Sequence, residues 1–315
     1  MKLLVAMKSR QTVSQHAPEG HQLKQGTPTM GGLIILAGVL GAMPFVHTSV
    51  SIWPLFTLIV LFAVIGFVDD FVVPRLMPGK RGLGWKQKIL MQVVAAVVPL
   101  VMGGITGPAA LGTGTFVILF FANAYNFSDG LDGLAGTLLV GLLLGMFGLS
   151  FSGQPLITMG GVPSANQWYS SYAPPLLFVF LGAVIPFLFW NAPKAKVFMG
   201  DVGSLPIGAF LAGYWFLTQN GNDYSSTILP LPPHDRSVLF FCAFFVWSLV
   251  MIAELVPVPL QIGSVKLFKR KIFPYTPIHH AFEKAGWPET RVVFVFAICQ
   301  LICSMLAITL VAWFR

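Results

Sequence analysis

The sequence predicts an all-α, polytopic integral membrane protein, and three observations carry that prediction. Apolar residues make up 56% of the 315 and charged residues only 10%, whereas a soluble domain is nearer a quarter charged. The mean hydropathy is +0.78. The apolar residues fall in helix-length runs rather than in many short alternating segments. Lipid offers no partner to an unpaired backbone group, so such runs form helices and not a barrel.

The runs predict about nine helices, at 31–50, 52–68, 88–104, 115–126, 133–151, 174–190, 204–218, 237–260 and 292–314. The first follows "GTPTMGG" and the second ends in "GFVDDF". A short fourth runs into "NFSDGLDGLAG", and a short seventh opens after "FMGDVGSL". The eighth carries Glu254, beside which Pro257 and Pro259 predict a break. The ninth takes the chain to its last residues. All of 1–315 reads as one transmembrane domain, with no soluble domain or repeat. Cytoplasmic loops are expected at about 69–88, 126–133, 191–203 and 261–291, and longer external loops at 152–173 and 219–236. The opening "MKLLVAMKSR" has too short an apolar run for a signal peptide.

Threading these helices back and forth puts 17 of the 19 basic residues on one side, leaving only Arg236 and Arg315 opposite. The positive-inside rule makes the crowded side cytoplasmic. The net charge of +8 is thereby accounted for by anionic lipid and an anionic substrate, with no nucleic acid required. Cys242, Cys299 and Cys303 lie in spans without a CxxC pair, and read as buried small apolar residues.

The same threading gathers five aspartates at cytoplasmic helix ends: Asp69 and Asp70, Asp129 and Asp132, and Asp201. Any one of them could be an ordinary helix cap. Together they call for a cation, and Mg²⁺ takes oxygen ligands from one or two carboxylates plus phosphate and water. Gly130, Gly133, Gly200 and Gly203 beside them suit a backbone that approaches a ligand closely. The combination points to Mg²⁺-assisted phosphate chemistry at the inner membrane surface. No Walker A sequence is present, so a P-loop ATPase is not the reading. "PIHHAFE" adds His279 and His280 in a basic loop, where imidazole suits a phosphate better than a metal lacking a third ligand.

These stretches resemble the polyprenyl-phosphate N-acetylhexosamine-1-phosphate transferases. The motifs are "KQGTPTMGG" (24–32), "GFVDD" (66–70), "GLGWKQK" (82–88), "NAYNFSDGLDGLAG" (123–136), "NAPKAKVFMGDVGSL" (191–205), "AELVPVPLQIGS" (253–264) and "PIHHAFEKAGWPE" (277–289). They run in family order across nearly the whole chain. The resemblance implies transfer of phospho-MurNAc-pentapeptide from UDP-MurNAc-pentapeptide to undecaprenyl phosphate, giving lipid I and UMP. The alternative is the same transfer from another UDP-N-acetylhexosamine.

By the same resemblance, the catalytic residues are Asp69, Asp70, Asp201, His279 and His280, with Asp201 as the Mg²⁺ ligand. Lys24, Thr27, Lys86, Asn126, Asp129, Gly130, Asp132, Asn191 and Gln261 are expected to bind substrate. The setting is the bacterial inner membrane with the site facing the cytoplasm, and a homodimer is the candidate assembly. The family usually has ten spans. Val73 stands where it commonly has lysine, with Arg75 as the substitute, and Ala281 replaces the third histidine of a triplet. A multi-span transporter is the competing class. It would favour ionisable residues at mid-membrane, where only Glu254 is expected here.

Overall fold

The structure, a computed structural model, describes residues 27–46, 51–80, 82–152, 174–217 and 236–313. Lys24, the opening "MKLLVAMKSR" and nearly all of the expected external loops lie outside these residues. Every regular element among the described residues is helical. Helix α1 is Gly32–Ala42 and ends in a 3-10 turn, Met43–Phe45. Helix α2, Trp53–Phe67, passes through a π turn, Val68–Val72, into the short α3, Val73–Leu76. Then come α4 (Trp85–Met102), α5 (Pro108–Ser128), α6 (Leu134–Ser152), α7 (Pro174–Asn191) and α8 (Asp201–Leu217). The last group is α9 (Arg236–Trp247), α10 (Leu249–Leu255), α11 (Pro257–Phe268), α12 (Ile278–Lys284) and α13 (Glu289–Trp313).

Among the described residues, five stretches are long and apolar enough to cross a bilayer: Trp53–Leu76, Trp85–Met102, Pro108–Ser128, Leu249–Phe268 and Glu289–Trp313. Gly32–Phe45, Leu134–Ser150 and Pro175–Asn191 are shorter apolar helices. The chain is a multi-pass, all-helical membrane protein.

Helix α8 is the central post. It is apolar on every side, the pattern of a helix with no solvent face, and each residue from Val202 to Leu217 is buried. It lies between α2 and α5, with α1 against its first turns. Where lipid is as apolar as leucine, helices associate through close backbone approach rather than hydrophobic burial. Small residues on α8 permit that approach. Gly203 meets Gly32 of α1, Gly208 meets the Phe121 and Ala122 backbone of α5, and Gly213 receives Leu58 of α2. Further out, α13 packs on α6 and α9, and α7 on α1 and α6.

Three expectations need correction. The fourth span is not short: α5 starts at Pro108 rather than 115 and has 21 residues. Gly107–Pro108 is its helix start, since proline at the first helical position forfeits no hydrogen bond. The proline break beside Glu254 is slight. Val256 keeps helical angles (φ −60°, ψ −39°), its N–H still reaches the Ile252 carbonyl at 2.9 Å, and the helix runs on to Phe268. Pro257 and Pro259 stand at the start of a new helical segment, where their missing N–H groups cost little. The cysteines, expected buried, face outward: Cys242 and Cys299 are exposed and Cys303 half-buried. Hydrocarbon outside the bundle suits a thiol as well as a protein core does.

Candidate active site

Four helix ends converge at one end of the bundle: the π turn after α2, the start of α4, the end of α5 and the start of α8. The π turn carries Asp69 and Asp70, and such one-residue bulges recur where a helix presents side chains to a site. Gly66, one turn before, has no room for a Cβ, because one would collide with the Asp201 carbonyl and Val202. That contact brings the α2 end against the α8 start.

The carboxylates of Asp69, Asp70 and Asp201 reach within 4.8 Å of one another, an arrangement able to hold a metal ion. Each is also held by protein donors. Asp69 accepts from the Leu83 N–H at 2.7 Å and from Lys88 Nζ at 3.3 Å. Asp70 accepts from the Val202 N–H at 3.0 Å. Asp201 accepts from Lys88 through Oδ2 and from Asn126 Nδ2 at 2.7 Å through Oδ1. Asn126 also reaches Ser204 Oγ at 2.8 Å. The all-oxygen donor set fits a hard divalent cation, and the Lys88 ammonium lies where positive charge is wanted.

Asp129 caps the end of α5 beside this cluster. Burial pushes its carboxyl well above the usual carboxylate range, Asp201 adds repulsion, and a hydrogen bond from the Gly200 N–H opposes both. Gly200 takes φ +72°, and a side chain there would strike Asp70. The turn from Asp129 to Gly133 is braced across its ends by Tyr125 Oη donating to the Ala135 carbonyl at 2.7 Å.

The expected site residues sort into two sets. Asp69, Asp70, Asn126, Asp129 and Asp201 gather in the cluster. The "GTPTMGG" stretch joins them: the Phe198 N–H donates to the Pro28 carbonyl at 2.9 Å, and Gly31 and Gly32 donate to Phe198 and Met199. This anchors half-buried Thr27 on the face that carries "NFSDGLDG". Other expected residues are turned to fixing loops. Asp132 is buried and accepts from the Ala195 N–H at 2.8 Å, while its own N–H donates to Glu289 at 2.6 Å. Asn191 bridges Gly133 N–H (3.0 Å) and the Val197 carbonyl (2.8 Å). Gln261 accepts from Ile272 and Phe273 N–H, both at 3.0 Å. Lys86 is exposed and lies over the Trp85 ring. Arg75, the expected substitute for a family lysine, lies over Phe71.

His279 is fully buried, with Nδ1 2.8 Å from Glu254 Oε2. Its Nε2 lies so close to Gly130 that any Cβ there would collide with it. His280 pairs instead with Glu283, at 2.6 Å. Sequence reasoning missed two partners. Lys88 was passed over for Lys86, although Lys88 heads the inward stripe of α4 that continues through Gln92, Ala95, Ala96 and Pro99. Glu254 carried no signal in the sequence linking it to His279.

Fold and site together define a multi-pass membrane protein built around an acidic, cation-ready cluster. Residues 52–219 match the family model Glycosyl transferase family 4, and residues 24–36 match the Phospho-N-acetylmuramoyl-pentapeptide-transferase signature 1. Proteins named phospho-N-acetylmuramoyl-pentapeptide-transferase are similar over nearly the full length. That of Nautilia profundicola is 33% identical, covering 96% of this chain and 86% of its own. That of Halalkalibacterium halodurans is 32% identical, with 98% and 90% covered. That of Thermotoga petrophila is 32% identical, with 98% and 92% covered. The chain belongs to glycosyl transferase family 4, among the phospho-N-acetylmuramoyl-pentapeptide-transferases.

Proposed function

We propose that the chain transfers phospho-MurNAc-pentapeptide from UDP-MurNAc-pentapeptide to undecaprenyl phosphate at the cytoplasmic face of the bacterial inner membrane, the first membrane step of peptidoglycan synthesis. A phosphate oxygen of the lipid bonds to the sugar-linked phosphorus of the donor. The bridging P–O bond breaks, and UMP leaves with its electron pair. The products are lipid I and UMP. The observation that carries this reading is the convergence of Asp69, Asp70 and Asp201 around one point in a chain of this family.

Asp69, Asp70 and Asp201 would hold Mg²⁺, which when bound supplies charge to neutralise diphosphate oxygens. Lys88 adds a fixed cation between Asp69 and Asp201, placed to counter charge that grows during transfer. A proton remaining on the acceptor phosphate would pass to Asp69 or Asp70. Much of that phosphate is already ionised at neutral pH. The turn Asp129–Gly130, with Thr27 and Lys24, would shape the nucleotide and diphosphate site. Asp132, Asn191 and Gln261 would act on substrate through the loops they hold.

An apolar groove of about 590 Å³ runs between α1 and α2, past Leu33, Leu36, Ala63 and Phe67 to Val202. Val202 is the residue whose N–H holds Asp70. A polyprenyl tail lying there would deliver its phosphate to the cluster sideways from the bilayer. The test is product formation from radiolabelled donors. UDP-MurNAc-pentapeptide should label undecaprenyl lipid in the presence of Mg²⁺, and UDP-GlcNAc should not. Equal labelling from both would replace this substrate by another UDP-N-acetylhexosamine.

A further inference from the structure

Glu254 lies on α10, inside a membrane-crossing stretch, and neither it nor His279 has exposed surface. A carboxylate there is costly unless paired, and His279 Nδ1 at 2.8 Å is its partner. An ionised carboxylate can only accept, so with Glu254 ionised the hydrogen of this bond sits on Nδ1. Glu254 Oε1 and His279 Nε2 are both buried without a hydrogen-bond partner among the described residues. Nε2 is thus the one ring nitrogen left to meet another group, and it faces Gly130. The neighbouring ring is held differently. His280, its centroid 4.1 Å away, pairs with Glu283 on the same short helix. One histidine is held by a residue of the membrane bundle and the other pairs with a residue of its own short helix.

We infer that Glu254 is a positioning residue for the transfer: it holds the Nδ1–H of His279 and so aims Nε2 at the Asp129–Gly130 turn, where the ring, when it also carries a proton on Nε2, donates to a phosphoryl oxygen of the anionic donor. The assignment rests on the donor site proposed above. Gly130 is its counterpart, because only a residue without a Cβ lets the ring lie there. Partners behind metal-ligating imidazoles change affinity or activity by about 10- to 100-fold when removed, and a loss of that order is expected for this pair.

The experiment is a double-mutant cycle on the full chain, with UDP-MurNAc-pentapeptide, undecaprenyl phosphate and Mg²⁺. Glu254→Gln, close in shape, should lower kcat by about 10- to 100-fold while donor KM changes less than about threefold. In the His279→Ala background the same substitution should have almost no further effect. A Glu254 that served only helix packing would instead multiply the loss in both backgrounds. That result, or a Glu254→Gln rate near wild type, would overturn the inference. Nitrogen NMR of ¹⁵N-histidine-labelled wild type, with His279 assigned by its substitution, gives a second readout independent of turnover. A proton on Nδ1 supports the assignment, and a neutral ring protonated only on Nε2 refutes it. An inactive wild type would sink the proposed reaction, leaving the nitrogen spectrum to decide this point.

Discussion

Lys88 joins Asp69 to Asp201 and is the only cation that bridges those carboxylates among the described residues. Its removal leaves like charges crowded with less compensation and removes a fixed donor near the reacting phosphates. Lys88→Met should therefore reduce turnover by about 100-fold or more, whereas Lys86→Met should stay within about threefold, since Lys86 faces outward over Trp85. Steady-state rates of the two variants check this, and equal losses would contradict it. The sequence showed both lysines in "WKQK" but not which one turns inward. Residues two apart on a helix point about 200° apart, and only the longer stripe through Gln92 selects Lys88. Asp129 supports a second residue-scale prediction. Its carboxyl is held well above the usual range by burial and Asp201, so above the ordinary carboxylate range of pH this group favours the unfolded chain, where it ionises freely. Asp129→Asn should lower transfer while raising the melting temperature of the unliganded protein by roughly 2 °C or more. An unchanged or lower melting temperature would argue against that repulsion.

At the scale of elements, the site depends on how closely α1, α2 and α5 approach α8. A Cβ on Gly32 would collide with the Gly203 backbone, whereas one on Gly41 of the same helix meets nothing within 4 Å. Gly32→Ala should destabilise the fold by about 1–3 kcal/mol through overpacking. Gly41→Ala should be neutral or stabilising, by up to about 1 kcal/mol. Chemical or thermal unfolding in detergent measures both, and similar behaviour would mean that α1 does not seat on α8 as described. Helix existence was legible because apolar runs in a lipid-facing chain admit few alternatives. Helix ends were less so. The first turns of α5 precede the expected start at 115, and Pro257 and Pro259 suggested a break that helical angles at Val256 nearly erase. The π turn that presents Asp69 and Asp70 together left no trace in the composition of "VDDFV".

At the scale of the molecule, one end of the bundle assembles carboxylates contributed from residues 69 to 201, together with "GTPTMGG" and the His279 turn. The five aspartates were legible as a group because helix threading put them on one face, where carboxylates without a cation would repel. Their division of labour was not legible: Asp132 and Asn191 pin loops through buried hydrogen bonds, which depend on tertiary contacts between distant loops. On the proposed function, this acidic end carries a cation-dependent transfer between a nucleotide donor and a lipid phosphate. The measurement that tests it most directly is UMP release by the purified chain, with each component withheld in turn, for wild type and Asp201→Asn. Release is expected only when UDP-MurNAc-pentapeptide, undecaprenyl phosphate and Mg²⁺ are all present, with near-complete loss in the variant. Release without the lipid or the cation, or most of the wild-type rate in Asp201→Asn at saturating Mg²⁺, would contradict it.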